Sequence, residues 1–201
     1  MLKVLINKLN IQIEKLRGLD LTVAVESNSL GLDSSVVYRS SPSGNKYLKR
    51  VLDKLKISKD DEILDIGAGK GSAMVLMKQY SFFQVDGIEL SIEITEIARK
   101  NFNILKLKNI NIYNENAITF SKYNKYTIFY MYNPFLSIVM KKVLNQMIKS
   151  LNEKKSLVKI IYFNPECHED IIATKYFFKI DEYNADSKQI YIYSNQKDKI
   201  C

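Results

Sequence analysis

The sequence contains no tryptophan, only three prolines and seven glycines, and two cysteines among its 201 residues. With so little proline and glycine, no segment has the composition of a flexible linker, and we expect one hydrophobic core and one compact domain. Cys167 and Cys201 are too few for a disulfide framework, which predicts a reduced, cytoplasmic protein. No uncharged stretch reaches the roughly 20 residues that a membrane span needs, so we expect no transmembrane helix.

The chain also has a single histidine, His168, which limits the chemistry it can perform. Its neighbours Cys167 and Glu169 do not have the spacing of metal ligands, and the sequence has no second cluster of ligand residues. We therefore expect no metal site and a structural or peripheral role for His168.

Positive charge exceeds negative charge, with 30 Lys and Arg against 22 Asp and Glu and a formal net charge of +8. Such a charge favours association with an acidic partner such as RNA or an anionic surface. The lysines are scattered, however, over segments that also read as solvated helix faces and turns. The net charge alone therefore assigns no partner.

The first 57 residues have a different pattern from the rest of the chain. Apolar residues within Met1–Arg17 have helical spacing, which predicts an amphipathic helix and not a signal peptide. The irregular segment 18–43, rich in Ser, Gly and Asp, is long for a connection and is a candidate cover for an active site. The next segment, around residues 48–55, has the pattern of a helix with one apolar face. We assign residues 1–57 to an N-terminal helical cover and substrate-side segment, and residues 58–201 to the core.

Within the core, apolar runs of strand length alternate with helical patterns. The runs lie at 62–66, 83–88, 110–113, 126–132 and 157–163. Alternation of this kind predicts parallel strands joined by helices. Two last runs, 177–181 and 189–193, flank a polar turn at 184–188 and predict a hairpin. The expected fold is α/β: a Rossmann-like, doubly wound, mostly parallel sheet of seven strands with one antiparallel strand, plus the N-terminal helical extension.

The most informative segment is the glycine-rich turn that follows the first strand. Gly67, Gly69 and Gly71 let the backbone turn sharply and approach a ligand closely. A phosphate-binding loop needs Gly-Lys followed by Ser or Thr, but Lys70 is followed by Gly71, which excludes that class. A dinucleotide fingerprint fits weakly because Ser72 stands where its third glycine belongs. A nicotinamide-dependent oxidoreductase therefore remains an alternative.

Two carboxylates accompany this turn. Asp65 lies two positions before Gly67, where its charge would complement the ammonium group of S-adenosylmethionine. Glu89 lies 20 residues after Gly69, at the end of the next strand, and could accept hydrogen bonds from both ribose hydroxyls. Asp86 is an odd number of positions from Glu89, so its side chain should point to the opposite face of the sheet.

The segment Asp65–Gly71 resembles the first motif of class I methyltransferases, D-x-G-x-G-x-G. Further along, Asn116-Ala117 follows the third strand, where that class commonly has an Asp-Ala pair that contacts the adenine amino group. Asn133-Pro134-Phe135 resembles a shortened form of the [D/N]-P-P-[Y/F] motif of methyltransferases that modify amino nitrogens. The resemblance implies that Asn133 accepts hydrogen bonds from an acceptor amine.

In order and spacing, residues 18–193 resemble small bacterial relatives of the Rossmann-type, non-SET histone-lysine methyltransferase. The resemblance implies an S-adenosylmethionine-dependent methyltransferase with Asn133 and Tyr38 as candidate catalytic residues. The implied cofactor-binding residues are Asp65, Gly67, Ala68, Gly69, Gly71, Glu89, Leu90, Asn116, Ala117 and Asn133. The methyl acceptor stays open among protein lysine, RNA and small molecules. A non-catalytic module that binds S-adenosylmethionine or a nucleotide is the alternative from another class.

Overall fold

The computed structural model describes residues 11–26, 40–154 and 156–197. The strands are β1 (Glu62–Ile66), β2 (Gln84–Glu89), β3 (Ile110–Asn114), β4 (Ile128–Tyr132), β5 (Lys159–Phe163), β6 (Phe178–Ala185) and β7 (Lys188–Ser194). The helices that lie wholly within the described residues after position 40 are α1 (Lys46–Lys54), α2 (Ser72–Met77), α3 (Ile92–Ile104), α4 (Ser137–Leu151) and α5 (His168–Ala173), with a 3₁₀ turn at Tyr123–Lys125. Most of these elements begin within two residues of the predicted positions.

The strands form one sheet in the order β3-β2-β1-β4-β5-β7-β6. Neighbouring strands from β3 to β5 pair in parallel, and β7 is antiparallel to both β5 and β6. This confirms the predicted Rossmann-like sheet of seven strands with one antiparallel strand. The strand order reverses between β1 and β4, and in such sheets the carboxyl ends of the strands at the reversal are where ligands bind.

Both faces of the central strands β1, β2, β4 and β5 are buried, which explains why these strands read as nearly continuous apolar runs. On one face, Leu64 and Tyr162 belong to a core cluster that includes Leu144 of α4. On the other face, Ile63 belongs to a cluster that includes Leu48 of α1. The side chains of Asp65 and Ile63 have the same parity along β1, so Asp65 enters the second of these faces.

A buried polar cluster surrounds Asp86, whose side chain is fully buried in β2. Its carboxylate oxygens accept hydrogen bonds from Gln84 Nε2 (2.6 Å), Tyr126 OH (2.7 Å), Lys125 Nζ (3.2 Å), Asn111 Nδ2 (3.3 Å) and Tyr113 OH (3.3 Å). Because a buried carboxylate is stable only when it is hydrogen-bonded or paired, this cluster accounts for a charged residue inside the strand.

The final hairpin is tighter than the sequence predicted. Asn184 pairs with Gln189 and Ala185 with Lys188, which leaves only Asp186 and Ser187 to reverse the chain. Asp186 has a φ of 53°, in the left-handed region that aspartate tolerates better than most residues. The predicted turn was too long because polar residues are acceptable in β6, an edge strand that is mostly exposed.

The described part of the N-terminal segment lies against the core. Residues 11–16 are helical, which agrees with part of the predicted helix over Met1–Arg17, and residues 1–10 lie outside the described residues. Val25 and Ser40 form an antiparallel bridge through two backbone hydrogen bonds of 2.9 Å. In the described ranges, no helix is both long enough and apolar enough to cross a membrane.

Candidate functional site

The glycine turn connects β1 to α2 with three residues in the left-handed region. The φ angles of Gly67, Gly69 and Gly71 are 78°, 55° and 83°. A Cβ atom added at Gly71 would lie 2.5 Å from the Phe102 ring, so even alanine would both clash and be strained. The backbone amides of Gly67 and Ala68 donate to the carbonyl oxygen of Ile88, at 2.9 and 3.0 Å. These bonds hold the turn beside the end of β2.

Asp65 has a buried carboxylate at this turn. Its side chain is only 2% exposed, and within the described ranges its Oδ2 atom has no hydrogen-bond partner. Burial, together with the negative charge of Glu89, raises the pKa of Asp65 to about 8. A buried carboxylate oxygen of this kind is suited to a cationic or hydrogen-bond-donating ligand group. The residues present therefore fit the ammonium end of S-adenosylmethionine.

Glu89 is at the end of β2 and faces the turn. Its Oε2 atom accepts a hydrogen bond from the amide of Gly69, and its Oε1 atom accepts one from the amide of Ser91, both at 3.0 Å. Burial raises the pKa of Glu89, and these backbone donors oppose that rise. Each carboxylate oxygen can accept a second hydrogen bond, so this side chain can still bind hydroxyl groups of a ligand. The adjacent Leu90 is 45% exposed.

The pair Asn116-Ala117 lies in the turn after β3. Asn116 is exposed, and its Oδ1 atom accepts a hydrogen bond from the amide of Ile118 at 2.9 Å. Ala117 is 8% exposed, and its carbonyl oxygen accepts a bond from Tyr123 OH at 2.6 Å. The Asn116 amide oxygen thus forms the turn itself, and its NH₂ group is the part that can offer hydrogen bonds to a ligand.

The turn Asn133-Pro134-Phe135 follows β4. Asn133 is 6% exposed with a φ of 41°, and its Oδ1 atom accepts a hydrogen bond of 2.9 Å from Tyr162 OH. The Tyr162 hydroxyl in turn accepts from the amide of Cys167 at 3.3 Å, and the Cys167 thiol donates to the Phe135 carbonyl oxygen at 3.5 Å. The connection between β5 and α5 therefore holds the turn at both of its ends.

The two turns are in contact. A Cβ atom added at Gly67 would lie 2.8 Å from Cβ of Pro134, so only a glycine lets the Asn133 turn approach the glycine turn this closely. The structure thereby brings together Asp65, Gly67, Gly69, Glu89 and Asn133 at the reversal of strand order. Tyr38 lies outside the described residues, and its predicted place near the cofactor stays a prediction.

The N-terminal segment is bound to the glycine turn by an ion pair and hydrogen bonds. The distance from Lys70 Nζ to Asp20 Oδ2 is 2.6 Å, and the Lys70 side chain is 6% exposed. Asn101 Nδ2 donates to the carbonyl oxygens of Asp20 (2.9 Å) and Lys70 (3.1 Å), and Asn101 Oδ1 accepts from the amide of Asp20 (2.9 Å). A Cβ atom at Gly69 would lie 2.6 Å from Ser40 Oγ, so the segment also covers the middle of the turn.

Three residues of the site were not predicted from the sequence: Lys70, Asn101 and Tyr162. Asn101 is 81 residues from Asp20, and Lys70 is 50 residues from it, so no local motif connects them. Tyr162 had a weak signal, because a hydroxyl within the otherwise apolar run Ile160–Phe163 must find a partner once it is buried.

No curated protein sequence matches the chain. Several solved structures share its fold. An RNA methyltransferase from Salinibacter ruber in complex with S-adenosyl-L-homocysteine has a TM-score of 0.60 at 12% identity, with 78% of this chain and 95% of that chain covered. The ribosomal protein L11 methylase from Lactobacillus delbrueckii subsp. bulgaricus has a TM-score of 0.60 at 13% identity, with 80% and 82% covered. Magnesium protoporphyrin IX methyltransferase from Synechocystis has a TM-score of 0.59 at 13% identity, with 74% and 78% covered.

At these identities the similarity shows the fold alone, and the narrower resemblance to the non-SET histone-lysine methyltransferase is not confirmed by any of them. The family is shown by sequence. Residues 43–156, more than half of the chain, match the model of the ribosomal RNA adenine dimethylases, and this range contains both the glycine turn and the Asn133 turn. The chain therefore belongs to the ribosomal RNA adenine dimethylase family and is an S-adenosylmethionine-dependent methyltransferase.

Proposed function

We propose that the chain transfers methyl groups to the exocyclic amino nitrogen of adenine in ribosomal RNA. The observation that carries this proposal is the family match over residues 43–156, which includes both the Asp65–Gly71 turn and the Asn133 turn. These two turns touch through Gly67 and Pro134, as a cofactor site and an acceptor site must in a direct methyl transfer.

S-adenosylmethionine supplies an electrophilic methyl group when it is bound. We propose that Asp65 pairs with its ammonium group, while Glu89 accepts hydrogen bonds from its ribose hydroxyls. The backbone of the glycine turn would contact the cofactor at Gly67, Ala68, Gly69 and Gly71. The adenine and methyl sides of the cofactor would be surrounded by Leu90, Asn116, Ala117 and Asn133. The support for this orientation is the buried Oδ2 atom of Asp65, which has no hydrogen-bond partner among the residues that the structure describes.

Asn133 is proposed to position the acceptor amine. A carboxamide oxygen has two lone pairs, and Tyr162 OH occupies one of them. The second lone pair can accept a hydrogen bond from an amino group and so direct the nitrogen toward the methyl group. The adenine amino group is neutral, so no base has to remove a proton before attack, whereas a lysine ammonium would first require one.

We also propose that residues 1–57 form a cover over the cofactor and the substrate side, and that residues 58–201 form the S-adenosylmethionine-binding core of a single compact domain. The contacts of Asp20 with Lys70 and of Ser40 with Gly69 support the assignment of a cover.

The test supplies three acceptor pools to the purified protein with S-adenosylmethionine labelled in its methyl group: unmodified ribosomal RNA transcripts, cell-extract protein and cell-extract metabolites. We expect label in the RNA, and N6-methylated adenosines after digestion to nucleosides and mass spectrometry. Asn133→Ala should bind S-adenosylmethionine more weakly, since Asn133 also borders the cofactor, and should transfer little label to the RNA even when the cofactor is saturating.

Label confined to protein or metabolites would refute the RNA assignment. Binding of S-adenosylmethionine by calorimetry without label in any pool would favour a non-catalytic binding module.

A further inference from the structure

A cleft opens at the carboxyl edge of the sheet, beyond the Asn133 turn. It has a volume of about 450 Å³ and lies between the β5–α5 connection and the β6–β7 hairpin. Six of the residues that line it are Asn164, Glu166, His168, Asn184, Lys188 and Tyr191. This volume lies within the range of about 300–1,000 Å³ that is usual for small-ligand sites, so the cleft can hold a single nucleobase.

The position of the cleft puts it on the acceptor side of the enzyme. The cofactor residues follow β1 and β2, whereas the cleft lies at the end of β5, the strand next to β4 on the other side. Because β7 is antiparallel to β5, its first residue, Lys188, lies at this same edge.

Tyr132 and Lys188 connect the cleft with the Asn133 turn. Tyr132 directly precedes Asn133, and its ring packs on that of Phe163 with centroids 4.6 Å apart. Lys188 Nζ lies 5.1 Å from the centroid of the Tyr132 ring and 3.3 Å from the Tyr132 hydroxyl oxygen. A cation and an aromatic ring thus lie between the acceptor turn and the cleft, an arrangement that suits a nucleic-acid strand.

The chemistry inside the cleft favours a base over a phosphate. His168 and Tyr191 form an edge-to-face aromatic pair with centroids 5.1 Å apart, and Asn164, Asn184 and Gln189 supply amide groups. Aromatic rings and amides are the groups that stack on unpaired bases and hydrogen-bond to their edges. The carboxylates of Glu166 and Asp186 also line the cleft and would repel a phosphate there.

We propose that this cleft binds an unpaired base that neighbours the methylated adenine in the RNA acceptor. The inference rests on the proposed function, since it takes the acceptor to be RNA. The bound base places the strand so that the adenine reaches Asn133, and it makes methylation depend on the nucleotides that flank the target.

The test uses short single-stranded RNAs in which each nucleotide flanking the methylated adenine is replaced in turn by an abasic residue. We expect one abasic position to lower kcat/KM of the wild-type enzyme about tenfold, the loss typical of one stacked base. The double variant Asn184→Ala/Gln189→Ala removes two exposed amides of the hairpin that would hydrogen-bond to the base, but it keeps the His168–Tyr191 rings. The abasic penalty should therefore fall from about tenfold to about threefold, with the S-adenosylmethionine affinity unchanged. Asn103→Ala, an exposed amide on α3, is the matched control and should keep the full penalty.

Equal abasic penalties in the wild-type enzyme and the double variant would overturn the cleft assignment while leaving RNA methylation intact. No methylation of any RNA by the wild-type enzyme would overturn the proposed function, and this inference with it. A failure of the cleft assignment is therefore distinguishable from a failure of the proposed function.

Discussion

The affinity for S-adenosylmethionine is expected to depend on pH through Asp65. Burial raises the pKa of this carboxyl to about 8 in the free protein, so near neutral pH it is mostly protonated. The ammonium group of the cofactor favours the ionised form and should lower that pKa on binding. Asp65 therefore has to release its proton when the cofactor binds, and the affinity should rise with pH.

The size of the effect follows from the pKa. With a pKa of about 8, the protonated form exceeds the ionised form by about 10 to 1 at pH 7 and by about 100 to 1 at pH 6. If the pKa of Asp65 in the complex lies below 6, the Kd of S-adenosylmethionine should fall about tenfold from pH 6 to pH 7, with about one proton released on binding. The increase in affinity should end near pH 8, because the α-amino group of the cofactor, with a usual pKa of about 7.7–8.0, begins to lose its charge there.

The assay is titration calorimetry between pH 6 and pH 7.5 in two buffers of different ionisation enthalpy, which yields both Kd and the number of protons released. Asp65→Asn preserves the shape of the side chain and removes its titration, so its affinity should be weaker and flat with pH. The reasoning is wrong if Kd of the wild-type enzyme changes less than twofold between pH 6 and pH 7, or if Asp65→Asn keeps the slope.

Three further predictions concern stability and the acceptor turn. The pKa of Asp65 in the folded protein lies above the usual aspartate value of 3.8, so the folded protein holds a proton that the unfolded chain releases, and the free energy of unfolding falls as pH rises from about 4 to 8. Asp65→Asn should therefore melt above the wild-type protein at pH 8, and by a smaller margin at pH 5, in calorimetric scans. Tyr162→Phe removes the donor to Asn133 and should lower kcat by about tenfold, near the lower part of the roughly 1–3 kcal/mol range for a buried unsatisfied group, without changing the Kd of S-adenosylmethionine. Tyr80→Phe, which removes a hydroxyl that donates to Asp53 away from the site, is the matched control, and an equal loss of kcat there would argue against positioning. Gly71→Ala should lower the melting temperature and weaken cofactor binding because its Cβ meets Phe102 at a φ of 83°; unchanged values for both would contradict the geometry.

The parts of the site that were predictable from sequence are those encoded locally. Asp65 and the three glycines lie within seven consecutive residues, so their type and spacing alone indicate a ligand-binding turn. The alternation of apolar runs and helical patterns predicted the sheet, since parallel strands buried on both faces require such runs. Asn133 was singled out because it follows a buried strand and because Asn133-Pro134-Phe135 resembles a methyltransferase motif.

The remaining features depend on residues that are distant in sequence. The ion pair between Lys70 and Asp20 joins positions 50 residues apart, and Tyr162 reaches Asn133 from a neighbouring strand 29 residues away. Such pairs follow from strand order and side-chain direction, which no local pattern specifies. The hairpin length was missed for a related reason, because an edge strand accepts polar residues that read as a turn.

The cluster around Asp86 has a consequence for the accuracy of the cofactor site. If β2 slipped by one residue against its neighbours, the side chain of Asp86 would move to the opposite, apolar face and lose the four donors that lie outside β2. Glu89 is three residues further along the same strand, so any such slip would also turn it away from Gly69. The hydrogen bonds to Asp86 thus fix the register of β2, and with it the position of the Glu89 carboxylate beside the glycine turn.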